Sequence, residues 1–363
     1  MKCLILTTSM GHESIAESIK QILIKNGMGV KLVKEGFGEV TFQYQPIYQF
    51  FPSLHKKYYK FSQNKIILKV MENLYSKKKR KKVENIVKKY KPDVVISTYF
   101  LYNFVLEKLK RKYEFNFINI VANPRTLHPL EFSPEAINLV YDKESIDKGA
   151  SFGIPTKNIK EVGWFVKKDF FTRENQTNCE GNKKTILISA GSLGTTTIVK
   201  FLPTLFRYNN DFNYILVSGK NKVLYKIFNN YKNFRNLTKK DAEDVRVIGF
   251  TTKMGKLMEE ADIVAGKAGP NLLFEAVTCQ KPFLALTYIP GQEDGNLDII
   301  KNKNLGWVAL TIEKADEILQ EIKTNRTELE EKKEGIKKES ERIKKSGEKL
   351  TKIIRELPHL GKP

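Results

Sequence analysis

The sequence predicts an α/β fold with two doubly wound parallel sheets. Short apolar runs of strand length, such as 3–6 and 262–265, alternate along the chain with segments of helical periodicity. This alternation is typical of parallel sheets, in which a helix carries the chain back to the starting edge. Glycine-containing turns follow a strand in both halves, at 9–12 and 190–195, which indicates two similar units. With 363 residues, the chain is long enough for both.

The composition favours a globular protein that meets an anionic partner. Hydrophobic residues make up 41% of the chain, and no apolar run reaches the length of a membrane span. The chain starts directly with a strand rather than a signal peptide, and its three cysteines lack metal-site spacing, so we expect a cytoplasmic location. The net charge of +22 attracts nucleic acid, acidic lipid or phosphorylated substrates, or it reflects a lysine-rich genome.

The first half opens with a strand, a tight turn and a helix. We expect a strand at 2–8, a turn that ends in Gly11 and His12, and a helix in which Ser14 and Glu17 have capping-box spacing. The turn then lies at the carboxyl edge of the sheet, where doubly wound folds bind ligands. His12 is the leading candidate for a general base, because imidazole titrates near neutral pH. The alternative is that His12 only caps the helix.

A later loop of the first half carries a second histidine. Strands are expected at 91–98 and 116–121, and the second is followed by a loop that contains Asn123 and His128. His128 is a second candidate base or a group that positions the acceptor, and a purely structural role is the alternative.

Aromatic residues and lysines are interleaved over residues 42–82. Residues 56–91 contain fourteen Lys or Arg against two Glu. Rings and basic side chains together suit the surface of an anionic membrane. They also suit single-stranded nucleic acid, whose bases stack on aromatic rings, or ordinary helices with buried rings and solvated lysines.

The second half begins with a strand at 185–189 and a second glycine-rich turn. Backbone amides of such a turn, paired with a helix start, can surround a diphosphate. Further strands are expected at 214–219 and 245–250. The candidate phosphate-binding residues of the turn are Gly191, Ser192, Gly194 and Thr195.

The stretch 266–296 combines a helix start with side chains that suit hydroxyl groups. After a buried strand, Pro270 begins a helix, with Asn271 as a candidate cap. The strand at 283–286 leads into a polar loop. A helix start at a sheet edge binds anions, and carboxylates and amides bind hydroxyls, so a nucleotide-sugar fits both. A plain βαβ unit with a polar loop is the alternative. The candidates are Lys267, Ala268, Gly269, Pro270, Asn271, Glu275, Gln292, Glu293 and Asn296.

This stretch resembles the donor-binding region of a known enzyme family. The strings 267–270, 275–276 and 290–293 with Asn296 are similar to those of GT-B glycosyltransferases related to monogalactosyldiacylglycerol synthase, processive diacylglycerol glucosyltransferase and the peptidoglycan N-acetylglucosaminyltransferase, a family 28-like group. The resemblance implies a GT-B fold, in which two Rossmann-like domains face each other across a cleft. The base would then come from the N-terminal domain and the donor groups from the other.

We therefore divide the chain into four parts. An N-terminal, acceptor- and membrane-facing domain is expected at 1–168 and a linker at 169–184. A UDP-sugar-binding domain follows at 185–340, and a charged C-terminal helix at 341–363 could pack back on the first domain.

The resemblance also implies roles for individual residues. Glu275 would bind ribose, and Gln292 with Glu293 would bind the sugar. This chain has Asn123 and Glu131 where the family often has Asp and Trp. The resemblance therefore indicates the type of acceptor less clearly than the type of donor. Uracil would bind near Gly249, Phe250 and Met254. The acceptor-side candidates are Gly11, Asn123 and His128.

The predicted function is transfer of a hexose or N-acetylhexosamine from a UDP-sugar to a lipid acceptor, diacylglycerol being favoured. We expect inversion, a peripheral location on the inner membrane face, no cofactor besides the UDP-sugar co-substrate and no metal, since the sequence has no Asp-x-Asp string. A polyprenyl-linked or peptidoglycan-precursor acceptor is the alternative within this class. The alternative of another class is a non-enzymatic protein that binds nucleic acid or anionic surfaces.

Overall fold

The computed structural model describes residues 1–9, 11–34, 56–57, 61–64, 80–171, 183–191, 196–238, 244–325 and 327–358. The chain divides into two compact units. The first comprises Met1–Lys168, Pro290–Gln292 and Arg342–Pro363, and the second comprises Asp169–Ile289 and Glu293–Glu341. Each unit contains one parallel six-stranded sheet, so the predicted fold class is confirmed.

The sheet of the first unit has the strand order β2-β1-β3-β4-β5-β6. The order reverses at β1, because the chain continues to β2 on one side of it and then to β3 on the other. In doubly wound sheets, ligands bind at such a switch point, outside the carboxyl ends of the strands. The strands are β1 (Lys2–Thr7), β2 (Gly29–Lys34), β3 (Val94–Ser97), β4 (Asn116–Ile120), β5 (Ile137–Val140) and β6 (Ile159–Glu161).

Helices cover this first sheet, and its strands are apolar because they are buried beneath these helices. Parallel strands that are covered on both faces consist of nearly continuous apolar residues, and Leu4, Ile5 and Leu6 in β1 are fully buried. The helices are α1 (Gly11–Lys25), α2 (Leu101–Lys110) and α3 (Lys143–Ser151), and residues 80–90 are also helical. A short 3-10 helix, Pro129–Glu131, follows β4.

The sheet of the second unit has the order β12-β11-β10-β7-β8-β9. Its switch point lies between β7 and β10. The strands are β7 (Lys184–Ser189), β8 (Phe212–Val217), β9 (Val245–Ile248), β10 (Ile263–Lys267), β11 (Phe283–Thr287) and β12 (Gly306–Val308). The helices are α4 (Leu202–Arg207), α5 (Lys222–Thr238), α6 (Met254–Glu260), α7 (Pro270–Thr278), α8 (Asp294–Asn302), α9 (Ile312–Thr324) and α10 (Thr327–Lys344).

The last helix, α11 (Ser346–Arg355), belongs to the first unit. Contacts of Arg342 and Gly163 hold this end of the chain in the first unit. The Arg342 guanidinium lies 4.1 Å from the centre of the Tyr141 ring and donates a 2.8 Å hydrogen bond to the Tyr141 carbonyl. A β-carbon on Gly163 would lie 2.5 Å from the Ser346 hydroxyl, so the close approach requires glycine.

Three local expectations were wrong. α1 begins at Gly11, so Ser14 lies inside the helix rather than at its cap. Gly269 occupies the N-cap of α7, because Pro270 already takes the first helical position, and Asn271 is therefore not a cap. Asn296 lies in the first turn of α8, not in a loop. Most of the basic and aromatic region 42–82 and most of the linker 169–184 lie outside the described residues.

Candidate functional site

His12 lies at the switch point of the first sheet. It follows β1 in the first turn of α1, directly after Gly11. Its Nδ1 atom is 2.6 Å from the carbonyl oxygen of Thr98, which follows β3, the strand next to β1. The His12 ring also packs against the Tyr99 ring, with 4.8 Å between the centroids.

The Thr98 carbonyl determines the tautomer of His12. A carbonyl oxygen only accepts hydrogen bonds, so Nδ1 carries the proton and donates it to Thr98. In the neutral ring, Nε2 then has a free lone pair and can accept a proton. Burial lowers the pKa of His12 to about 4, although the bond to Thr98 acts in the opposite direction. The imidazole is therefore neutral at physiological pH, as a base must be.

His128 has a different environment. Its Nδ1 accepts a hydrogen bond from the Leu130 N–H at 3.2 Å and so caps the 3-10 helix. The proton of the neutral ring is then on Nε2, which lies 3.1 Å from the Ser62 hydroxyl. Burial lowers the pKa of His128 to about 4. Both ring nitrogens are engaged, so this geometry favours a structural role over that of a base.

Asn123 lies in the loop after β4 and contacts a residue that sequence reasoning did not select as a site residue. Its amide donates a hydrogen bond to Glu131 Oε1, and Glu131 Oε2 accepts from the His128 N–H at 3.1 Å. The His128–Glu131 spacing of a capping box was the available signal in the sequence.

The second unit places the predicted string 267–270 at its switch point. Lys267 ends β10, and Gly269 and Pro270 begin α7. The strand packs closely here: a β-carbon on Gly266 would lie 2.2 Å from the Ser189 carbonyl oxygen of β7. The start of a helix carries a positive partial charge, which attracts anions.

Lys267 and Glu293 form an ion pair beside this helix start. Lys267 Nζ contacts Glu293 Oε1, and Glu293 Oε2 accepts a 2.7 Å hydrogen bond from the Ile289 N–H. The Glu293 side chain is only 5% exposed, whereas that of Lys267 is 24% exposed. A β-carbon on Gly269 would lie 3.1 Å from Lys267 Nζ. The ammonium group of Lys267 therefore lies close to Gly269, at the start of α7.

Asn296 supports the same backbone. It is buried, and its amide donates a 2.7 Å hydrogen bond to the Ala268 carbonyl, while the Ala268 N–H bonds to the Thr287 carbonyl. These contacts bring Lys267, Ala268, Gly269, Glu293 and Asn296 together. Asn296 holds the turn rather than pointing outward.

Asn271, Glu275 and Gln292 are the remaining candidates of the stretch 266–296. Asn271 and Glu275 lie on α7 and are partly buried, whereas Gln292 belongs to the first unit. Gly191, after β7, has the positive φ of 77° that favours glycine. Three predicted residues lie outside the described part of the chain: Ser192, Gly194 and Thr195.

Phe250 is an exposed ring beyond the carboxyl end of β9. It follows Gly249, is 56% exposed and has Lys220 Nζ 4.9 Å from its centre. Met254 begins α6 four residues later. An exposed ring beside a cation can stack with a planar ligand. Lys220 was missed in the sequence, because only the fold brings it next to Phe250.

Two features are absent from the described residues. No cluster of three or more His, Cys, Asp or Glu side chains there could hold a metal ion. None of the helices described is both long enough and apolar enough to cross a membrane.

Two family models together match most of the chain. The model of monogalactosyldiacylglycerol (MGDG) synthase matches residues 12–166, and that of the glycosyltransferase family 28 C-terminal domain matches residues 185–354. A processive diacylglycerol beta-glucosyltransferase of Bacillus cereus (strain AH187) is 25% identical over 326 residues, which cover 85% of this chain and 81% of that protein. The corresponding protein of Bacillus cytotoxicus is 25% identical over 340 residues, with 89% and 84% coverage.

Solved structures share the fold at lower identity. The Anabaena protein HepE in complex with UDP has a TM-score of 0.59 and 14% identity, with 98% of this chain and 100% of that chain covered. A UDP-GlcNAc 2-epimerase from Neisseria meningitidis bound to UDP-GlcNAc has a TM-score of 0.60 and 15% identity, with the same coverage.

Proposed function

The chain belongs to the family 28-like glycosyltransferases of the GT-B fold, and we propose that it transfers a hexose or N-acetylhexosamine from a UDP-sugar to a lipid acceptor. Its relatives are diacylglycerol glucosyltransferases, which favours a diacylglycerol-type acceptor. A polyprenyl-linked or peptidoglycan-precursor lipid is the second candidate within the same reaction class.

The observation that carries this proposal is the His12–Thr98 hydrogen bond. The hydroxyl of a lipid acceptor has a pKa far above 7, so a base must remove its proton as the oxygen attacks. His12 Nε2 would accept that proton. The acceptor oxygen forms a bond to the anomeric carbon, the bond from this carbon to the diphosphate breaks, and UDP leaves. Direct displacement of this kind inverts the anomeric centre.

The second unit supplies groups suited to the departing UDP. Negative charge develops on the diphosphate as the glycosidic bond breaks, and preorganised N–H groups and cations stabilise such charge. The α7 start and Lys267 Nζ would do this. Phe250 would stack with uracil, Glu275 would bind the ribose, and Gln292 and Glu293 would bind the sugar.

The acceptor side is assigned to the first unit. A lipid acceptor requires the enzyme to work at a membrane, and the basic region 56–91 would attract anionic lipid on the inner face of the cell membrane. We propose peripheral association, with the net charge of +22 as its driving force.

Calorimetry with UDP and an assay of UDP release test this function. The purified protein is mixed with UDP-glucose, UDP-galactose or UDP-N-acetylglucosamine and with vesicles that contain diacylglycerol. We expect UDP binding and UDP release that depends on both donor and lipid. A folded preparation that binds no UDP would contradict the proposal.

A further inference from the structure

Tyr99 lies beside the proposed base and is the next residue in the chain after Thr98. The centroid of its ring is 4.8 Å from that of the His12 ring, and the two ring planes are tilted by 60°. Two consecutive residues after β3 therefore contact the same imidazole, Thr98 through its carbonyl oxygen and Tyr99 through its ring. We infer that Tyr99 is a positioning residue, whose ring fixes the tilt of the imidazole and so directs His12 Nε2 toward the acceptor hydroxyl. This inference rests on the proposed role of His12 as the base.

The hydrogen bond to Thr98 does not by itself determine the orientation of the His12 ring. The position of an imidazole depends on two side-chain torsions, and a carbonyl oxygen accepts hydrogen bonds over a broad range of directions. One such bond therefore leaves part of the rotational freedom, and any remaining rotation changes the direction of the Nε2 lone pair. Contact with a second ring removes this freedom, because aromatic pairs prefer defined mutual angles. The Thr98 carbonyl thus selects the tautomer, and Tyr99 sets the direction of the lone pair.

Hydrogen bonds hold the backbone on both sides of Tyr99. The Thr98 N–H donates a 3.1 Å hydrogen bond to the Leu6 carbonyl, and the Thr98 hydroxyl donates a 2.8 Å bond to the Thr7 hydroxyl. Farther along the chain, the Tyr102 N–H donates a 3.0 Å bond to the Tyr99 carbonyl, and the Tyr102 hydroxyl donates a 3.2 Å bond to the Thr7 carbonyl. These bonds connect the segment 98–102 to the end of β1, the strand that precedes the proposed base.

Packing holds the ring of Tyr99 as well. Tyr99 is buried in the apolar core of the first unit. The Phe100 ring contacts it edge to face, with 4.9 Å between the centroids. His12, Tyr99 and Phe100 therefore form a series of three contacting rings, and a rotation of the middle ring would disturb both contacts. A base that is held in this way needs no reorientation before it accepts the proton, and small misplacements of a catalytic group lower the rate steeply.

The test compares Tyr99→Leu, which removes the ring, with Tyr99→Phe, which keeps it, and with the control Phe104→Leu. Phe104 belongs to the same core and is 8% exposed, against 9% for Tyr99, so its replacement is a matched loss of ring packing. We expect Tyr99→Leu to lower kcat roughly ten- to 100-fold, because the base is misdirected. The KM values and the Kd for UDP should change less than about twofold, since both substrates are still bound. Tyr99→Phe and Phe104→Leu should keep the wild-type kcat.

Nitrogen-15 NMR of the imidazole is a second readout, which a loss of stability alone does not change. In Tyr99→Leu the His12 ring turns away from Thr98 for part of the time, so we expect a mixture of both tautomers at pH 7. In the wild type, Tyr99→Phe and Phe104→Leu, the proton should stay on Nδ1. The wild type should also show nuclear Overhauser effects between the ring protons of His12 and Tyr99, a measurement that needs no variant.

Five outcomes would overturn the inference. These are a wild-type kcat in Tyr99→Leu, an equal fall of kcat in Tyr99→Phe, an equal fall in Phe104→Leu, an unchanged tautomer in Tyr99→Leu, or no Overhauser effect between the two wild-type rings. The activity of the wild type separates this inference from the proposed function. If the wild type transfers no sugar to lipid, the proposed function has failed, and the NMR results still test whether Tyr99 orients His12. If the wild type and Tyr99→Leu transfer sugar equally well, only the role of Tyr99 has failed.

Discussion

The Nδ1 atom of His12 lies 2.6 Å from the carbonyl oxygen of Thr98, and this contact decides which imidazole nitrogen can accept a proton. The two residues follow adjacent strands, β1 and β3, at the point where the strand order reverses. The strand order brings the Thr98 carbonyl next to His12. This contact selects the tautomer that a general base requires. No carboxylate is needed to orient the ring, because a backbone carbonyl does so.

Replacement of His12 should separate chemistry from donor binding. Proton transfer by a positioned base contributes about 10²- to 10⁴-fold to a rate. We expect His12→Ala to lower kcat by at least 10²-fold and to change the Kd for UDP less than twofold, since UDP is bound by the second unit in this account. Single-turnover rates and calorimetry measure the two quantities. Glu13→Gln, next to His12 and paired with Lys34, is the control; equal activity of His12→Ala would remove His12 from its role.

The pH profile should reflect the low pKa of His12. The neutral ring is the active form, so activity is lost only as the pH falls through the pKa of the folded protein, about 4. We expect the acidic limb of kcat/KM to lie well below pH 6.5, the ordinary value for histidine. Nitrogen-15 NMR of the imidazole should also show the proton on Nδ1 at pH 7. A protonated ring at pH 6, or a proton on Nε2 at pH 7, would contradict this account.

The ion pair of Lys267 and Glu293 should serve both stability and donor binding. Lys267→Met leaves the buried Glu293 carboxylate without its partner, which costs about 1–3 kcal/mol of unfolding free energy. The double variant with Glu293→Gln should recover most of this loss, but it should still bind UDP weakly because the ammonium is absent. Urea denaturation and calorimetry measure the two effects.

Lys303 and Glu339 provide a matched control for that experiment. They are also in the second unit, 2.8 Å apart, with side-chain exposures of 26% and 4% that resemble those of the first pair. Lys303→Met should lose similar stability but keep the wild-type affinity for UDP. If both lysine variants weaken UDP binding equally, the effect is one of stability and Lys267 has no direct role.

Phe250 should contribute to nucleotide affinity without contributing to stability. A base that stacks on an aromatic side chain gains about 1–3 kcal/mol, so Phe250→Ala should weaken UDP binding roughly five- to 150-fold. The melting temperature should hardly change, because the ring is largely exposed. Phe234→Ala, on α5, is the control, since that ring is similarly exposed at 53%. Similar UDP affinities for the two variants would exclude uracil stacking on Phe250.

The sequence predicted the layers of the fold well, because buried parallel strands are apolar throughout and end in recognisable turns. The run 262–265 and the break at Pro270 located β10 and the start of α7 to within two residues. The capping residues were harder to predict. Asn271 was assigned as a cap from residue type alone, but the first helical position of Pro270 makes Gly269 the cap.

The contacts within the candidate site could not be predicted from local patterns. Lys267 and Glu293 are 26 positions apart, and their pairing depends on the packing of β10 beside the loop before α8. Glu131 appeared in the sequence only as a departure from the related family. Burial raises the pKa of Glu131 to about 8, although hydrogen bonds from His128 and Asn123 act in the opposite direction. This burial cannot be read from the order of the residues.

The most direct test of the central claim is mass spectrometry of lipids after incubation with a UDP-sugar and diacylglycerol vesicles, for the wild type and His12→Ala. We predict that the wild type yields a glycosylated lipid and an equal amount of UDP, whereas His12→Ala binds UDP and yields neither. Recovery of an epimerised UDP-sugar without a lipid product, or an equal yield of glycolipid from both proteins, would contradict the account.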